Sequence, residues 1–221
     1  MADKLKETFN HTLEEKIARS IEYDIIFGRL KPGQRLLEEN IAEQLSASRH
    51  HVRSALAILE TAGIVVRERN KGARVQSYTR EQVIKLYDMR EMLTRQAILR
   101  INLPVSDGDL KNVQAAQDKY EAAVAQGDLP RLHEANDDFH TALFQLCENP
   151  YLVEFISRAM DMTYIFRTAN ISNEKRLYQA QTEHRNMISL LSSTDGWSLA
   201  ELCVAHLRPS RDAYLKRLED S

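Results

Sequence analysis

Three histidines interrupt the apolar stripes of helices that are predicted in the second half of the chain: His140, His184 and His206. Apolar residues recur around each of them at the three- and four-residue spacing of one helix face. A buried polar group without a partner costs about 1–3 kcal/mol, so isolated imidazoles on such faces are unfavourable. We therefore expect the three imidazoles to meet, together with Asn136, one turn before His140 on the same face.

A cluster of three imidazoles and one amide predicts a divalent metal site. Imidazole nitrogen suits Zn, Ni, Mn and Fe, and the remaining coordination positions accept water or an anionic ligand. The predicted ion is Zn, Ni or Mn, held by Asn136, His140, His184 and His206. The alternative is that each histidine is a separately hydrogen-bonded core residue. His133 interrupts no apolar stripe, and we expect it to be solvated.

Arg90 interrupts the apolar stripe of an earlier predicted helix. A guanidinium that faces a core needs an anionic partner, and a carboxylate matches its two parallel N–H groups. Arg90 is therefore predicted to bind a small carboxylate, although pairing with Asp137 or Asp138 is the alternative. Tyr164 and Arg167 are further candidates for the same ligand, and both also suit a surface or a dimer contact.

A bundle of helices must hold these groups in place. Helical spacing predicts about six helices after residue 79, separated by turns rich in Pro, Gly, Asn and Ser. They run near 80–101, 106–126, 129–148, 151–169, 174–192 and 197–218. Pro209 falls inside the last helix, where we expect a kink or an early end.

Two short helices joined by a tight turn are predicted over residues 38–60. Ser48 is expected to cap the second helix, because its hydroxyl can accept a hydrogen bond from a backbone N–H of the first turn. The outer face of that helix begins with Arg49, His50 and Arg53. A helix that enters a DNA major groove needs such donors in its first turns. The alternative is an ordinary helical hairpin with a solvated basic face.

A small basic hairpin follows and predicts the wing of a winged helix-turn-helix. Residues 64–68 and 73–76 are strand-like and flank the turn Asn70-Lys71-Gly72. Lys71 and Gly72 are expected to approach the DNA backbone, because glycine adds no side-chain bulk. Arg35, before the two short helices, is a further predicted DNA contact.

The predicted fold class is mainly α. A winged helix-turn-helix with a small β-hairpin wing is expected over residues 1–78, and an all-α antiparallel bundle over 79–221. The net charge is −2, but residues 45–79 contain six Lys or Arg against two Asp or Glu. A basic segment confined in this way favours a local polyanion contact. Two cysteines, no membrane-length apolar run and no signal peptide predict a cytoplasmic protein without a membrane partner.

Residues 11–76 resemble the winged helix-turn-helix of the GntR family of bacterial transcription regulators. The resemblance rests on the motifs Gly-x-Leu-x-Pro-Gly, Leu-x-Glu and Arg-x-x-Val-Arg-x-Ala-Leu, and on the Gly after the second helix. It implies that Arg49 and Arg53 contact DNA bases and phosphates, and that Ser48 and Gly72 contact the DNA backbone. The turn Ser46-Ala47-Ser48 departs from the family's usual Gly-Val-Ser.

Residues 80–218 resemble the FCD effector domain of the FadR-like GntR regulators, and six helices indicate the VanR-type subgroup. Matching segments are YDMR, NDDFH, EHR and AHL. In metal-binding members an Asp or Asn, then a His four residues later, then two further His form the ligand shell. The resemblance therefore implies Asn136, His140, His184 and His206 as ligands. It also implies that the metal and Arg90 jointly hold a small carboxylate effector.

These features together predict a metabolite-responsive DNA-binding transcriptional regulator, more often a repressor in this family. It is expected to act as a homodimer on double-stranded operator DNA in a bacterial cytoplasm, under control of a small carboxylate at the metal site. Two other classes compete: a metal-dependent hydrolase-like enzyme, and an architectural DNA-binding protein without an effector. The sequence has no general base or nucleophile at motif spacing, so we do not predict an enzyme. An architectural DNA-binding protein without an effector would not explain why Arg90 and the three histidines interrupt apolar stripes.

Overall fold

A computed structural model describes residues 12–68, 72–127, 129–167 and 173–219. The chain divides into two compact units, Met1–Tyr78 and Thr79–Ser221. The elements of the first unit are α1 (Leu13–Ile26), β1 (Arg35–Leu36), α2 (Glu38–Gln44), α3 (Arg49–Thr61), β2 (Val65–Glu68) and β3 (Gly72–Val75). Those of the second are α4 (Arg80–Ile98), α5 (Asp107–Gln126), α6 (Leu129–Gln145), α7 (Pro150–Met162), α8 (Tyr164–Arg167), α9 (Glu174–Leu191) and α10 (Gly196–Glu219).

The first unit combines three helices with a small antiparallel sheet. The strand order is β1-β3-β2, with Arg35 opposite Arg74 and Val65 opposite Val75. The strand β1 was not predicted, because two residues give no periodic signal. The helices α1 and α3 pack together, and their facing apolar side chains are buried: Ile17, Ile21, Ile25, Val52, Leu56 and Leu59.

The turn between α2 and α3 is determined by two serines. Ser48 is the N-cap of α3, and its hydroxyl accepts a hydrogen bond from the His51 backbone N–H at 3.2 Å, which confirms the predicted cap. Ser46 has φ = 50°, in the left-handed region that glycine adopts most easily. This conformation explains why the resembling family usually has glycine at that position.

The second unit consists of seven helical segments among the residues that the structure describes, so the mainly α prediction is confirmed. The predicted helix 151–169 is interrupted at Thr163, whose hydroxyl donates to the Ala159 carbonyl at 2.7 Å. The six-helix count is met only if the one-turn α8 is joined to α7, and the VanR-type subgroup stays a prediction. The predicted early end at Pro209 is wrong, because α10 continues to Glu219; buried Leu207 and Tyr214 anchor it on both sides.

None of the described helices combines the length and the apolar character that crossing a bilayer requires. The core of the second unit is a continuous cluster of apolar side chains from α4, α5, α6, α7, α9 and α10. The second unit also buries polar residues, and most of them belong to the site described next.

Candidate functional site

The imidazoles of His140, His184 and His206 converge on one centre in the second unit. They come from α6, α9 and α10, and all three residues are buried. One possible ligand nitrogen from each ring lies within 4.8 Å of the others, and the ring centroids are 4.8–5.2 Å apart. The structure thus brings these three predicted ligands together.

Hydrogen bonds to the outer ring nitrogens orient two of these histidines. The Nδ1–H of His184 donates to Gln117 Oε1 at 2.9 Å, because the amide nitrogen of Gln117 is already a donor to Glu121. The Nδ1–H of His206 donates to the Glu183 carboxylate at 2.5 Å. In a neutral imidazole a proton at Nδ1 leaves a lone pair at Nε2. Both Nε2 atoms are therefore unprotonated.

These two Nε2 atoms, of His184 and His206, face each other at 3.4 Å. Two lone pairs at this distance have no hydrogen between them, and a cation between them would satisfy both. Two nitrogens bound to one tetrahedral Zn²⁺ at about 2.0–2.1 Å lie about 3.4 Å apart. The donor set therefore fits a divalent transition metal held by His140, His184 and His206, with Asn136 on the same face of α6 as His140.

Burial keeps the imidazoles neutral, which is the form that binds a metal. It lowers the pKa of His140 and of His184 well below the usual value, and His206 adds to both shifts. Burial also lowers the pKa of His206, against the raising effect of Glu183. Burial alone would raise the pKa of Glu183, but His206 and Arg176 outweigh it and lower that pKa to about 2.

The guanidinium of Arg90 is buried in the same region, with only 3% of the residue exposed. Its Nη1 donates to Thr163 Oγ1 at 3.1 Å, and it has no ion pair with a carboxylate of the described residues. Burial, and then the nearby charge of Arg167, lower the pKa of Arg90 to about 10. The alternative partner Asp137 binds Arg167 instead, and Asp138 is exposed.

The short helix α8 brings Arg167 and Tyr164 next to His133 of α6. Arg167 forms a bidentate ion pair with Asp137, with Nη2 3.1 Å from Oδ2. The ring of Tyr164 packs edge-on against His133, with centroids 4.4 Å apart. The prediction that His133 is solvated is wrong, because Tyr164 covers it and 7% is exposed. Burial, and then Arg167, lower the pKa of His133 to about 4.

One cavity of about 70 Å³ is lined by most of these groups, although His184 is not part of its lining. A single buried water needs about 10–15 Å³, so the cavity has room for a small ligand. Tyr164 is not part of its lining. The side chains in its wall that matter here are Asn136, His140, His206, Arg90, Arg167 and Arg176.

Three residues of this site were not predicted from the sequence: Gln117, Glu183 and Arg176. Gln117 is fully buried and interrupts an apolar stripe of α5, so the test that identified Arg90 could also have found it. Glu183 and Arg176 gave no such signal, because exposed helix positions commonly carry these charges. His133 is two turns before His140, and that spacing was its only signal.

On the first unit, α3 presents Arg49 and Arg53 on its exposed side. Their side chains are 62% and 63% exposed. Each forms an ion pair with α2: Arg53 with Glu38 at 2.9 Å, and Arg49 with Glu39. Exposed ion pairs contribute little to stability, so these carboxylates hold the two guanidinium groups only weakly.

The other predicted DNA contacts are also at the surface of the first unit where they are described. Ser48 and His50 are exposed at the start of α3, and Arg35 is exposed on β1. Gly72 begins β3 with φ = 81°, and no atom lies within 4 Å of where a Cβ would be. Lys71 lies outside the described residues.

Two family models match the chain. The model for bacterial regulatory proteins of the gntR family matches residues 13–75, and the model for the FCD domain matches residues 85–209. The two matches fall in the first and the second compact unit, respectively.

Individual relatives are distant but span most of the chain. The HTH-type transcriptional regulator YdhC of Bacillus subtilis (strain 168) is 23% identical over 82% of this chain and 82% of its own. The HTH-type transcriptional repressor GlaR of Escherichia coli (strain K12) is 24% identical over 86% and 90%. The solved structure of E. coli McbR/YncC is 21% identical, with a TM-score of 0.66 over 95% of this chain and 99% of that one. At this identity the structural likeness shows the fold.

Proposed function

This chain belongs to the gntR family of bacterial regulatory proteins and has an FCD domain, and from that premise we propose that a small carboxylate, bound at a divalent metal, controls its affinity for operator DNA. The chain is a DNA-binding transcriptional regulator and not an enzyme, so the hydrolase alternative is dropped. We propose repression as the mode of regulation, since the relative GlaR is a transcriptional repressor.

Neutral imidazoles that meet beside a buried arginine carry this proposal. The lone pairs at Nε2 of His184 and His206 face each other at 3.4 Å, and Arg90 has no ion-pair partner among the described residues. The first feature suits a metal cation, and the second suits an anion bound next to it.

In the proposed complex His140, His184 and His206 hold the metal, and Asn136 is a further ligand. The bound metal would act as a Lewis acid and bind one oxygen of the carboxylate. The N–H groups of Arg90 would bind the other oxygen. These side chains come from α4, α6, α9 and α10, so a ligand among them favours one packing of four helices. The carboxylate must bind two such packings unequally, since otherwise operator affinity does not change.

A second copy of this chain is the proposed partner on DNA, because paired reading helices contact half-sites about one helical turn, or 34–36 Å, apart. The α4–α7 surface, formed by the exposed faces of two helices that pack together, is the proposed dimer interface. Aromatic residues and methionine are enriched in such interfaces. Its exposed apolar side chains are Ile84, Met92, Tyr151, Phe155 and Met162.

Phe155→Glu is expected to weaken the dimer at least about tenfold, because a charge would be buried against apolar side chains. Sedimentation equilibrium measures the dimer dissociation constant. Tyr178→Glu is the matched control, since Tyr178 is exposed on α9 and outside the α4–α7 surface. A dimer of unchanged affinity in the Phe155 variant would remove this residue from the interface.

Gln117→Leu is expected to lower the Zn²⁺ affinity about 10- to 100-fold, the usual effect of removing the partner of a metal-ligating histidine. Leucine has a similar volume but cannot accept the Nδ1–H of His184, so the ring loses its orientation. Competition with a chromophoric chelator measures the affinity. Gln114→Leu is the control, because Gln114 is on the same helix and bonds Asp118 at the surface. Equal affinity in both variants would contradict the positioning role.

Fluorescence anisotropy with a labelled operator fragment tests the proposed function as a whole. The fragment is obtained by selecting bound DNA from a random-sequence pool. Operator affinity is compared between metal-free protein and Zn²⁺-loaded protein that is mixed with small mono- and dicarboxylates. The two affinities should differ by about 5- to 150-fold. Equal affinity under all conditions would overturn control by metal and carboxylate. Equal binding to unrelated DNA would favour the architectural alternative.

A further inference from the structure

The proposed metal ligands of this chain carry no negative charge. The three histidines are neutral, and Asn136 offers only an amide oxygen. Asn136 is half-buried and lines the same cavity as His140. In its hydrogen bond to Asp137 the amide nitrogen is the donor, at 3.4 Å, which leaves the oxygen for another partner.

The carboxylates nearest to this centre are already bound to arginines. Glu183 binds Arg176 at 2.8 Å, and Asp137 binds Arg167. The described lining of the cavity includes three arginines, the third being Arg90, and neither Asp nor Glu. The protein therefore offers a metal no anionic ligand from the described walls of its own cavity.

This arrangement determines how much positive charge the site carries when a metal binds. A dication held by neutral ligands in a buried cavity keeps its full charge, which is unfavourable where water is scarce. The buried guanidinium of Arg90 makes the same space more positive. A carboxylate that binds the metal and Arg90 together offsets both charges and so strengthens metal binding. By linkage, the metal strengthens carboxylate binding by the same factor.

We propose that this chain binds its metal and its carboxylate effector cooperatively, with the effector supplying the anionic ligand that Asn136 cannot. The inference rests on the metal site of the proposed function. The regulator then senses the two species together. The metal alone leaves its charge uncompensated, and the carboxylate alone gains only the contact with Arg90.

Co²⁺ binding to the full chain tests this coupling, with the visible absorption of the bound ion as the readout. Acetate is the probe, because it is small enough for the cavity and carries one carboxylate. Acetate at about 100 mM, against perchlorate at equal ionic strength, should lower the Kd for Co²⁺ about 5- to 150-fold. A Kd that does not respond to acetate overturns cooperative binding.

Two variants of Asn136 provide the matched comparison. Asn136→Asp supplies from the protein the charge that acetate supplies from solution, so it should bind Co²⁺ more tightly than the wild type without acetate. Its Kd should change less than about twofold when acetate is added, below the usual range of coupling factors. Asn136→Ala removes the amide without adding charge and should keep the wild-type response. Equal acetate responses in the Asp variant and the wild type would overturn the proposal.

His184→Ala separates this proposal from the metal site on which it rests. If the wild type and Asn136→Asp bind Co²⁺ no better than His184→Ala, the metal site itself is wrong, and cooperative binding fails with it. If Co²⁺ binding depends on His184 but not on acetate, only the coupling is overturned and the metal site stands.

Discussion

We expect His184→Ala to lower the Zn²⁺ affinity by more than about 100-fold. This loss is larger than the loss that is typical when a hydrogen-bond partner of a metal-ligating histidine is removed. The variant removes one of the two Nε2 atoms that face each other at 3.4 Å. His140→Ala should have a comparable effect, because the ligand nitrogen of His140 is within 4.8 Å of the other two. Plasma mass spectrometry of the purified variants measures the bound metal, and chelator competition measures the affinity.

His133→Ala is the control for these two variants. His133 is buried in the wall of the same cavity, with 7% of the residue exposed, but its nitrogens are not part of the three-histidine cluster. The control therefore creates a similar void without removing a ligand, and its zinc content should equal that of the wild type. If His140→Ala and His184→Ala both keep the wild-type zinc content, the three histidines do not hold the metal.

Arg53→Ala should weaken operator binding about tenfold and reduce the slope of log affinity against log salt by about one, because it removes one phosphate contact. Arg53 is 63% exposed on α3 and is held by Glu38 of α2. The Glu38 carboxylate orients the guanidinium in the absence of DNA. Exchanging this exposed ion pair for a phosphate contact costs little free energy. Anisotropy titrations of the operator fragment at several salt concentrations measure both quantities.

Arg29→Ala is the matched control for Arg53. Arg29 is in the same unit, is 61% exposed and also pairs with a carboxylate, that of Asp24, but it is not on α3. It should change operator affinity and salt slope much less than Arg53→Ala does. An Arg53 variant with the affinity and slope of the Arg29 variant would exclude Arg53 from the DNA contacts.

Local signals predicted most of the elements correctly. Apolar spacing identified the helices that carry the imidazoles, and the Ser48 cap marked the start of α3. Two predictions about helix ends failed for reasons that apolar spacing does not contain. Thr163 follows the last residue of α7, and its hydroxyl donates a hydrogen bond to the Ala159 carbonyl, a contact that apolar spacing does not predict. Pro209 was expected to kink α10 or to end it early; the helix does not end there, because it continues to Glu219 with Leu207 and Tyr214 buried on either side of the proline.

The sequence by itself determined which side chains face the interior and what chemistry they carry, because helical periodicity and residue type are both local properties. It therefore identified His140, His184, His206 and Arg90 as polar groups on buried faces. Periodicity does not show which helix faces pack against each other. It therefore could not identify hydrogen-bond partners that are distant in the chain.

Only the tertiary structure decided how those groups are paired. It brought Gln117 to His184 across 67 residues and Glu183 to His206 across 23, and these contacts direct two lone pairs at one point. It also gave Asp137 to Arg167 rather than to Arg90. The physical reason is that a buried charge or donor takes its partner from whichever element packs against it. That Arg90 has no carboxylate partner among the described residues follows from that packing.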